Sequence, residues 1–238
     1  MKVKVMTFNI QSTKDYVNGG FKPLLMAETI KKIGGEIIGL NEVRGEGEDE
    51  FFTNQVETIA GFLGYKYYYF GKAIDIKGKG PYGNAIISKY PIVSIDKYII
   101  DDPLVKDEDA YYETRCIIDS IIDINGILIN VLVTHVGLAK SEEKNALELI
   151  NSLLDKKNGK LILMGDFNMT KDNPLIIDLG KRLFDTTLIM GDNPLTFPSI
   201  NPNRKIDYIF CKDIKVLNSK VEEIVASDHF PCSMEIDV

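Results

Sequence analysis

Apolar residues in this chain gather into many short runs, and most of these runs stop abruptly at a polar residue. The clearest is Leu161-Ile162-Leu163-Met164, continuous and of strand length, halted by Gly165-Asp166 and followed by Asn168. Runs of this kind read as buried strands, because helices need longer stretches with a 3.6-residue period. Strands are expected over 2–8, 36–40, 65–70, 84–88, 92–100, 113–124, 127–135, 160–164, 206–210, two pieces of 214–225, and 231–236. Ile124-Asn125-Gly126-Ile127 carries a hairpin signal, since Asn-Gly supplies the positive φ angles of a two-residue turn. Helical periodicity is confined to fewer places. It runs over 23–33, with Pro23 at its start and Gly34-Gly35 after it, over 49–63, and over 142–156, where Ser141 is the expected N-cap. A short helix is expected from Pro174. Strands joined partly by hairpins and partly by helices imply an α/β chain with mixed sheets packed face to face and helices outside.

With 238 residues, 45% of them hydrophobic and 26% charged, the chain can build a large core. No linker, repeat or low-complexity tract divides it, so one domain over 1–238 is expected. The formal net charge of −7 disfavours a protein that grips long nucleic acid through many phosphate contacts. There is no long apolar segment and no small-residue cleavage site, so neither a membrane span nor a signal peptide is expected. Cys116, Cys211 and Cys232 are too far apart for a zinc pattern and odd in number. They read as buried thiols in a reducing, cytoplasmic setting, with no obligatory protein partner in evidence.

The residues that close the strands form a chemical set. Asn9 ends the first strand and Asn41-Glu42 follows the second. His135 ends the strand at 127–135, and Asp166 and Asn168 end the one at 160–164. Asp207 lies between apolar residues in Lys205-Ile206-Asp207-Tyr208, and Asp228-His229 opens the last strand. Asparagine and aspartate are also turn residues, so each position alone has a structural explanation. Turns do not explain why both histidines of the chain belong to the set. A GxxxxGK phosphate loop and a G-x-S-x-G nucleophile elbow are both missing, which disfavours an NTPase and a serine hydrolase. Carboxylate and amide oxygens suit Mg2+ or Mn2+, and a hard cation beside a carboxylate and a histidine suits displacement at phosphorus.

Seven segments carry a family resemblance in the expected order: TFNIQ, GLNEVRG, YGNAIISKYPI, VLVTHVGL, LILMGDFNMT, TFPS with RKIDYIF, and SDHFPCSMEI. Together they resemble the endonuclease/exonuclease/phosphatase superfamily, whose branches include deoxyribonucleases, AP endonucleases, sphingomyelinases, inositol phosphatases and deadenylases. The resemblance implies a four-layer α/β sandwich with two mixed sheets. It also implies an Mg2+-dependent phosphoester hydrolase, with Mn2+ as a possible substitute, that uses water directly and forms no phosphoenzyme. By position, Glu42 resembles the main metal carboxylate, with Asn9 beside it and Asp228 accessory. Asp166 resembles the residue that orients the attacking water, and Asn168 a phosphoryl-oxygen donor. His229 resembles the phosphate-binding histidine and Asp207 the carboxylate that orients it. In the deoxyribonuclease branch the counterpart of His135 pairs with a glutamate, here Glu113. A regular hairpin ladder would put His135 opposite Cys116, so that pairing needs a β-bulge near Asp119-Ser120. Arg115 is a candidate phosphate contact, and Asn84 a residue lining the cleft. The substrate is expected to be a small phosphodiester or a nucleic acid, and the acidic segment 99–112 favours the small one. AP endonuclease or deoxyribonuclease action is the alternative within the family, and a non-catalytic phosphate-ligand binding module the alternative outside it.

Overall fold

The computed structural model describes residues 1–191 and 194–238. Among the described residues, twelve strands form two six-stranded mixed sheets. In chain order the elements are β1 (Lys2–Asn9), α1 (Pro23–Ile33), β2 (Ile37–Arg44), α2 (Gln55–Leu63), β3 (Tyr67–Ile76), β4 (Gly80–Ser88), β5 (Ile92–Ile99) and β6 (Cys116–Ile124). They continue as β7 (Ile127–His135), α3 (Lys140–Asp155), β8 (Leu161–Asp166), α4 (Pro174–Arg182), β9 (Phe184–Asp185), β10 (Asp207–Lys212), β11 (Lys215–Val221) and β12 (Cys232–Asp237). The first sheet has the order β11-β12-β1-β2-β4-β3 and the second β5-β6-β7-β8-β10-β9. Among the described residues no helix is long and apolar enough to cross a membrane.

Alternation along the strands builds three apolar layers. Val3, Val5, Ile37, Ile86, Ile118, Val131, Val133, Ile162, Met164 and Ile209 pack between the sheets. Met6, Phe8, Ile38, Leu40 and Ile87 face the other way, onto Met26 and Ile30 of α1 and Val56 and Ile59 of α2. Leu132, Leu163, Tyr208 and Phe210 face Ile150 of α3 and Leu179 of α4. The result is the helix–sheet–sheet–helix sandwich expected from the sequence. The three cysteines are free and buried.

Three local expectations change. The helix expected over 49–63 starts only at Gln55, because Asn54 caps it by accepting from the Glu57 amide at 3.3 Å. Ser141 lies inside α3 rather than capping it. The Glu108 carboxylate, from the acidic 99–112 segment, accepts from the Lys140 and Ser141 amides at 2.7 and 3.0 Å. An anion at a helix N-terminus satisfies both free N–H groups and the helix dipole, so a single serine is not needed there. The 113–124 strand begins only at Cys116, which leaves Glu113 and Arg115 outside the ladder. The β6–β7 ladder runs without a shift from Ile124↔Ile127 to Ile117↔Thr134. It therefore contains no bulge near Asp119-Ser120, and continuing it puts His135 opposite Cys116.

One glycine is required by close approach. Gly165 has φ 149°, and a Cβ built on it would lie only 1.8 Å from the Thr134 carbonyl oxygen of β7. A side chain there must push β8 off β7 just before Asp166. Gly165→Ala should therefore lose about 3 kcal/mol or more of stability in urea unfolding, at the top of the range for overpacking. Gly180→Ala is the control. Its Cβ would meet nothing within 4 Å on an exposed face of α4, so it should gain about 0.5–1 kcal/mol.

Candidate active site

The face that supplies the inter-sheet core turns polar at one end. Asn9, Asn41, Asn84, His135, Asp166 and Asp207 share strand and parity with Val5, Ile37, Ile86, Val133, Met164 and Ile209, which pack between the sheets. Strand register sets them side by side. His135 pairs with Asp166 across β7–β8, Asp166 with Asp207 across β8–β10, and Asn9 with Asn41 across β1–β2. All six are buried. A run of buried polar side chains is costly unless each finds partners, and here they find one another.

Asn9 Nδ2 donates to Glu42 Oε1 and to Asp166 Oδ2, both at 3.0 Å, and Asn9 Oδ1 accepts from the Gln11 amide at 3.1 Å. Asn41 Nδ2 donates to Asn84 Oδ1 at 2.9 Å and to the Thr134 carbonyl at 2.8 Å. Asn41 Oδ1 accepts from the Asp166 amide at 2.9 Å. Asn84 Nδ2 donates to the Cys116 carbonyl at 2.8 Å. Asn84 thus works on the framework behind the site, where the sequence reading expected it to line the cleft. Asp166 Oδ1 accepts from the Asn168 amide at 2.9 Å.

Glu42 and Asn168 reach the same place by a different route. Both have left-handed backbones, with φ 58° and 54°. Glu42 lies where the β2–β4 register shifts between Leu40 and Val43. A bulge re-aims a side chain that strand parity would send to the helix layer. Strained conformations of this kind persist where the surroundings over-determine them, and they concentrate at functional sites.

Two imidazoles flank Asp166. His135 Nε2 lies 3.5 Å and His229 Nε2 3.6 Å from Asp166 Oδ2. His229 Nδ1 is 2.9 Å from Asp207 Oδ2, the pairing expected for a carboxylate that orients a histidine. Burial opposes charging His229, but Asp207 and then Asp166 outweigh it and carry its pKa up to about 10. Asp166 moves to about 7: burial raises it, His229 pulls it back, and Asp207 pushes it up again. His135 goes the other way. Burial, and then the neighbouring Arg115 charge, hold it well below the ordinary histidine range.

Glu113 does not reach His135 as expected. Arg115 stands between them, with Nη1 2.6 Å from Glu113 Oε1 and 3.0 Å from His135 Nδ1. At the opposite rim, Asp228 Oδ2 accepts from Gln11 Nε2 at 2.8 Å, and burial raises the Asp228 pKa. Gln11 is a member of this constellation that the sequence reading missed, and Asn41, named there among the strand ends, was given no role. Asn41 has the parity of Asn9 and directly precedes Glu42, so the signal was present. Gln11 lies in an irregular turn with positive φ, where no periodicity marks it.

A cation would find hard donors here. Gln11 Oε1 is buried without a hydrogen-bond partner, although its Nε2 is committed to Asp228. An orphaned amide oxygen close to carboxylates fits an oxygen-seeking ion. Asp166, Asp207 and His229 also lie close enough together to hold a metal.

A sequence model of the endonuclease/exonuclease/phosphatase family matches residues 6–229, and the chain belongs to that family. Its members are hydrolases acting on phosphoesters, generally with a divalent metal. Among solved structures, a family member from Beutenbergia cavernae superposes with a TM-score of 0.82 at 22% identity, over 100% of this chain and 72% of its own. A mannosyl-6-phosphatase from Bacteroides thetaiotaomicron gives 0.79 at 19% identity, over 99% and 100%. The human Nocturnin catalytic domain with bound sulfate gives 0.73 at 17% identity, over 99% and 94%. At these identities the likeness is one of fold. No curated protein sequence matches.

The raised Asp166 pKa has a stability consequence. A folded-state pKa of about 7, above the ordinary 3.8, means its contribution is fully present below pH 3.8 and is lost as pH rises through 7. Above that pH the buried carboxylate destabilises the metal-free protein. With EDTA present, Asp166→Asn should melt several degrees above wild type at pH 8, and this gain should shrink toward zero near pH 4. Paired melting curves at the two pH values check it.

Proposed function

We propose that this protein is a Mg2+-dependent phosphoester hydrolase that attacks its substrate in line with a water positioned by Asp166. The observation that carries the reading is one buried carboxylate, raised to about 7, set between two imidazoles of opposite character and tied through Asn9 to Glu42. A base with a pKa near the working pH combines the right protonation state with useful proton affinity. Asp166 holds the water and takes its proton. His229, kept charged by Asp207, stabilises the charge that grows on the phosphoryl oxygens. Asn168 Nδ2, fixed by its 2.8 Å bond to the Val136 carbonyl, presents its second hydrogen to the same group. Glu42 is the principal metal ligand, with Asn9, Gln11 and Asp228 around it. When bound, the cation polarises the phosphoryl group and offsets its charge.

For substrate we favour a small or locally bound phosphoester. The net charge is −7, and the segment leading to Glu113 carries Asp101, Asp102, Asp107, Glu108 and Asp109. A long polyanion would have to pass this acidic strap, whereas a compact one would not. A panel of sugar phosphates, inositol phosphates, nucleotides, headgroup diesters, single-stranded DNA and abasic DNA, with Mg2+ and Mn2+, tests this. Turnover concentrated on the nucleic acids would reverse the assignment.

Asp166→Asn is nearly isosteric and should lower turnover at saturating Mg2+ by about a hundredfold to ten-thousandfold. Wild-type turnover in that variant would remove Asp166 from the mechanism. Glu42→Gln should shift the Mg2+ titration of activity to higher concentration while the fold persists, and EDTA should abolish activity in the parent. Asp207→Asn should lose as much as His229→Ala, and the double variant little more, because a pair acting as one unit is non-additive. Losses that multiply would mean that the two act separately.

A further inference from the structure

We propose that Arg115 is a positioning residue that fixes His135 as its Nε2–H tautomer, so that His135 enters the site as a hydrogen-bond donor and not as a base. The argument starts from the 3.0 Å contact between Arg115 Nη1 and His135 Nδ1. A guanidinium has only donors. The contact is a hydrogen bond only if Nδ1 offers its lone pair, which places the single proton of a neutral imidazole on Nε2. The charge beside the ring makes a second proton on Nδ1 doubly unfavourable, in keeping with the depressed pKa of His135.

Arg115 Nη1 lies 2.6 Å from Glu113 Oε1 as an ion pair and donates to His135 Nδ1 at 3.0 Å. Arg115 Nε is buried without a hydrogen-bond partner. Through Nη1, Arg115 engages protein groups, a role that the sequence reading, which expected a phosphate contact, did not assign to it. Had Glu113 itself faced Nδ1, the carboxylate would have drawn the proton there and left Nε2 as a base. Inserting an arginine into that line reverses the polarity of the ring.

The other side of the ring offers Nε2 both an acceptor and a donor. Nε2 faces Asp166 Oδ2 at 3.5 Å, an acceptor. It also lies 3.2 Å from Asn168 Nδ2, whose amide orientation is set by donation to the Val136 carbonyl at 2.8 Å. Were Nε2 to accept from Asn168, Nδ1–H would point at a guanidinium, donor against donor beside a positive charge. With Nε2–H, the donors of His135 and Asn168 flank one space next to Asp166. An anionic oxygen is the group that satisfies both. The consequence for turnover rests on the phosphoester-hydrolase reading, whereas the tautomer does not.

The chain has two histidines, so long-range 1H–15N correlation of the imidazole rings at pH 7.5 reads the tautomer directly, with His229 as internal reference. Wild-type His135 should appear as neutral Nε2–H. In Arg115→Met the proton should redistribute toward Nδ1, while Arg115→Lys, still a donor, should keep Nε2–H. Wild-type His135 found as Nδ1–H or as imidazolium overturns the proposal, even if no variant folds. So does an unaltered tautomer in Arg115→Met. On a chromogenic phosphodiester, Arg115→Met should lower kcat by about tenfold to a hundredfold, as loss of an orienting partner typically does. Arg115→Lys should recover part of that loss. A raised KM at unchanged kcat would make Arg115 a direct phosphate contact and overturn the positioning role. If wild type hydrolyses no phosphoester with metal while the tautomers behave as described, the functional reading fails and the tautomer lock stands.

Discussion

The polar end of the sandwich depends on one side-chain amide. Asn41, on the first sheet, uses its two hydrogens on Asn84 of its own sheet and on the Thr134 carbonyl of the other. Its oxygen holds the Asp166 amide of that other sheet. Elsewhere the sheets meet through apolar packing, which is non-directional and tolerates sliding. Here they are registered by directional bonds in a buried place, where each unmet group would cost about 1–3 kcal/mol. The position of Asp166 relative to Asn9 and Glu42 follows from that registration, because those residues stand on β1 and β2. The backbone contact of Gly165 with Thr134 closes the same joint from the β7 side.

Around this fixed point the electrostatics are divided by what faces each histidine. Asp207 faces Nδ1 of His229, and a carboxylate there favours a charged ring. Arg115 faces Nδ1 of His135, and a guanidinium there favours a neutral one. Both rings are buried, so burial alone would keep both neutral. The leading difference between them is the residue at the same ring atom, Asp207 for His229 and Arg115 for His135, with Asp166 adding to the charge on His229. Asp166, between the two, is left with a cationic neighbour on one side and a neutral one on the other. That arrangement keeps a buried carboxylate usable near neutral pH.

Much of this was legible in the sequence. Short apolar runs located the main strands, and the polar residues that end them supplied Asn9, His135, Asp166 and Asp207. Once the structure puts Val5 and Met164 between the sheets, strand parity carries those side chains into the same space. The hairpin at Asn125-Gly126 placed His135 opposite Cys116, and the ladder agrees. What could not be read has physical causes. Periodicity says nothing about residues in left-handed or irregular backbone, so the setting of Gln11 and the bulge at Glu42 were hidden. The order Glu113, Arg115, His135 in space depends on a segment that leaves the ladder at Cys116, where alternation no longer governs direction. The cap on α3 comes from Glu108, more than thirty residues before it, and long-range partners of this kind leave no local signature. β3 and β4 extend into a hairpin over Ile76–Gly80, where Lys77-Gly78-Lys79 gives no apolar alternation to follow.

The central claim is a single displacement at phosphorus by a water that Asp166 positions, with no side chain acting as nucleophile. The most direct test is the stereochemical course of hydrolysis of a P-chiral phosphorothioate diester of known configuration, run in 18O-labelled water with Mg2+. One in-line attack by water inverts the configuration and places the label on phosphorus. Inversion with labelled phosphorus is the result expected here. Retention, which needs two successive displacements through a covalent enzyme intermediate, would contradict the account.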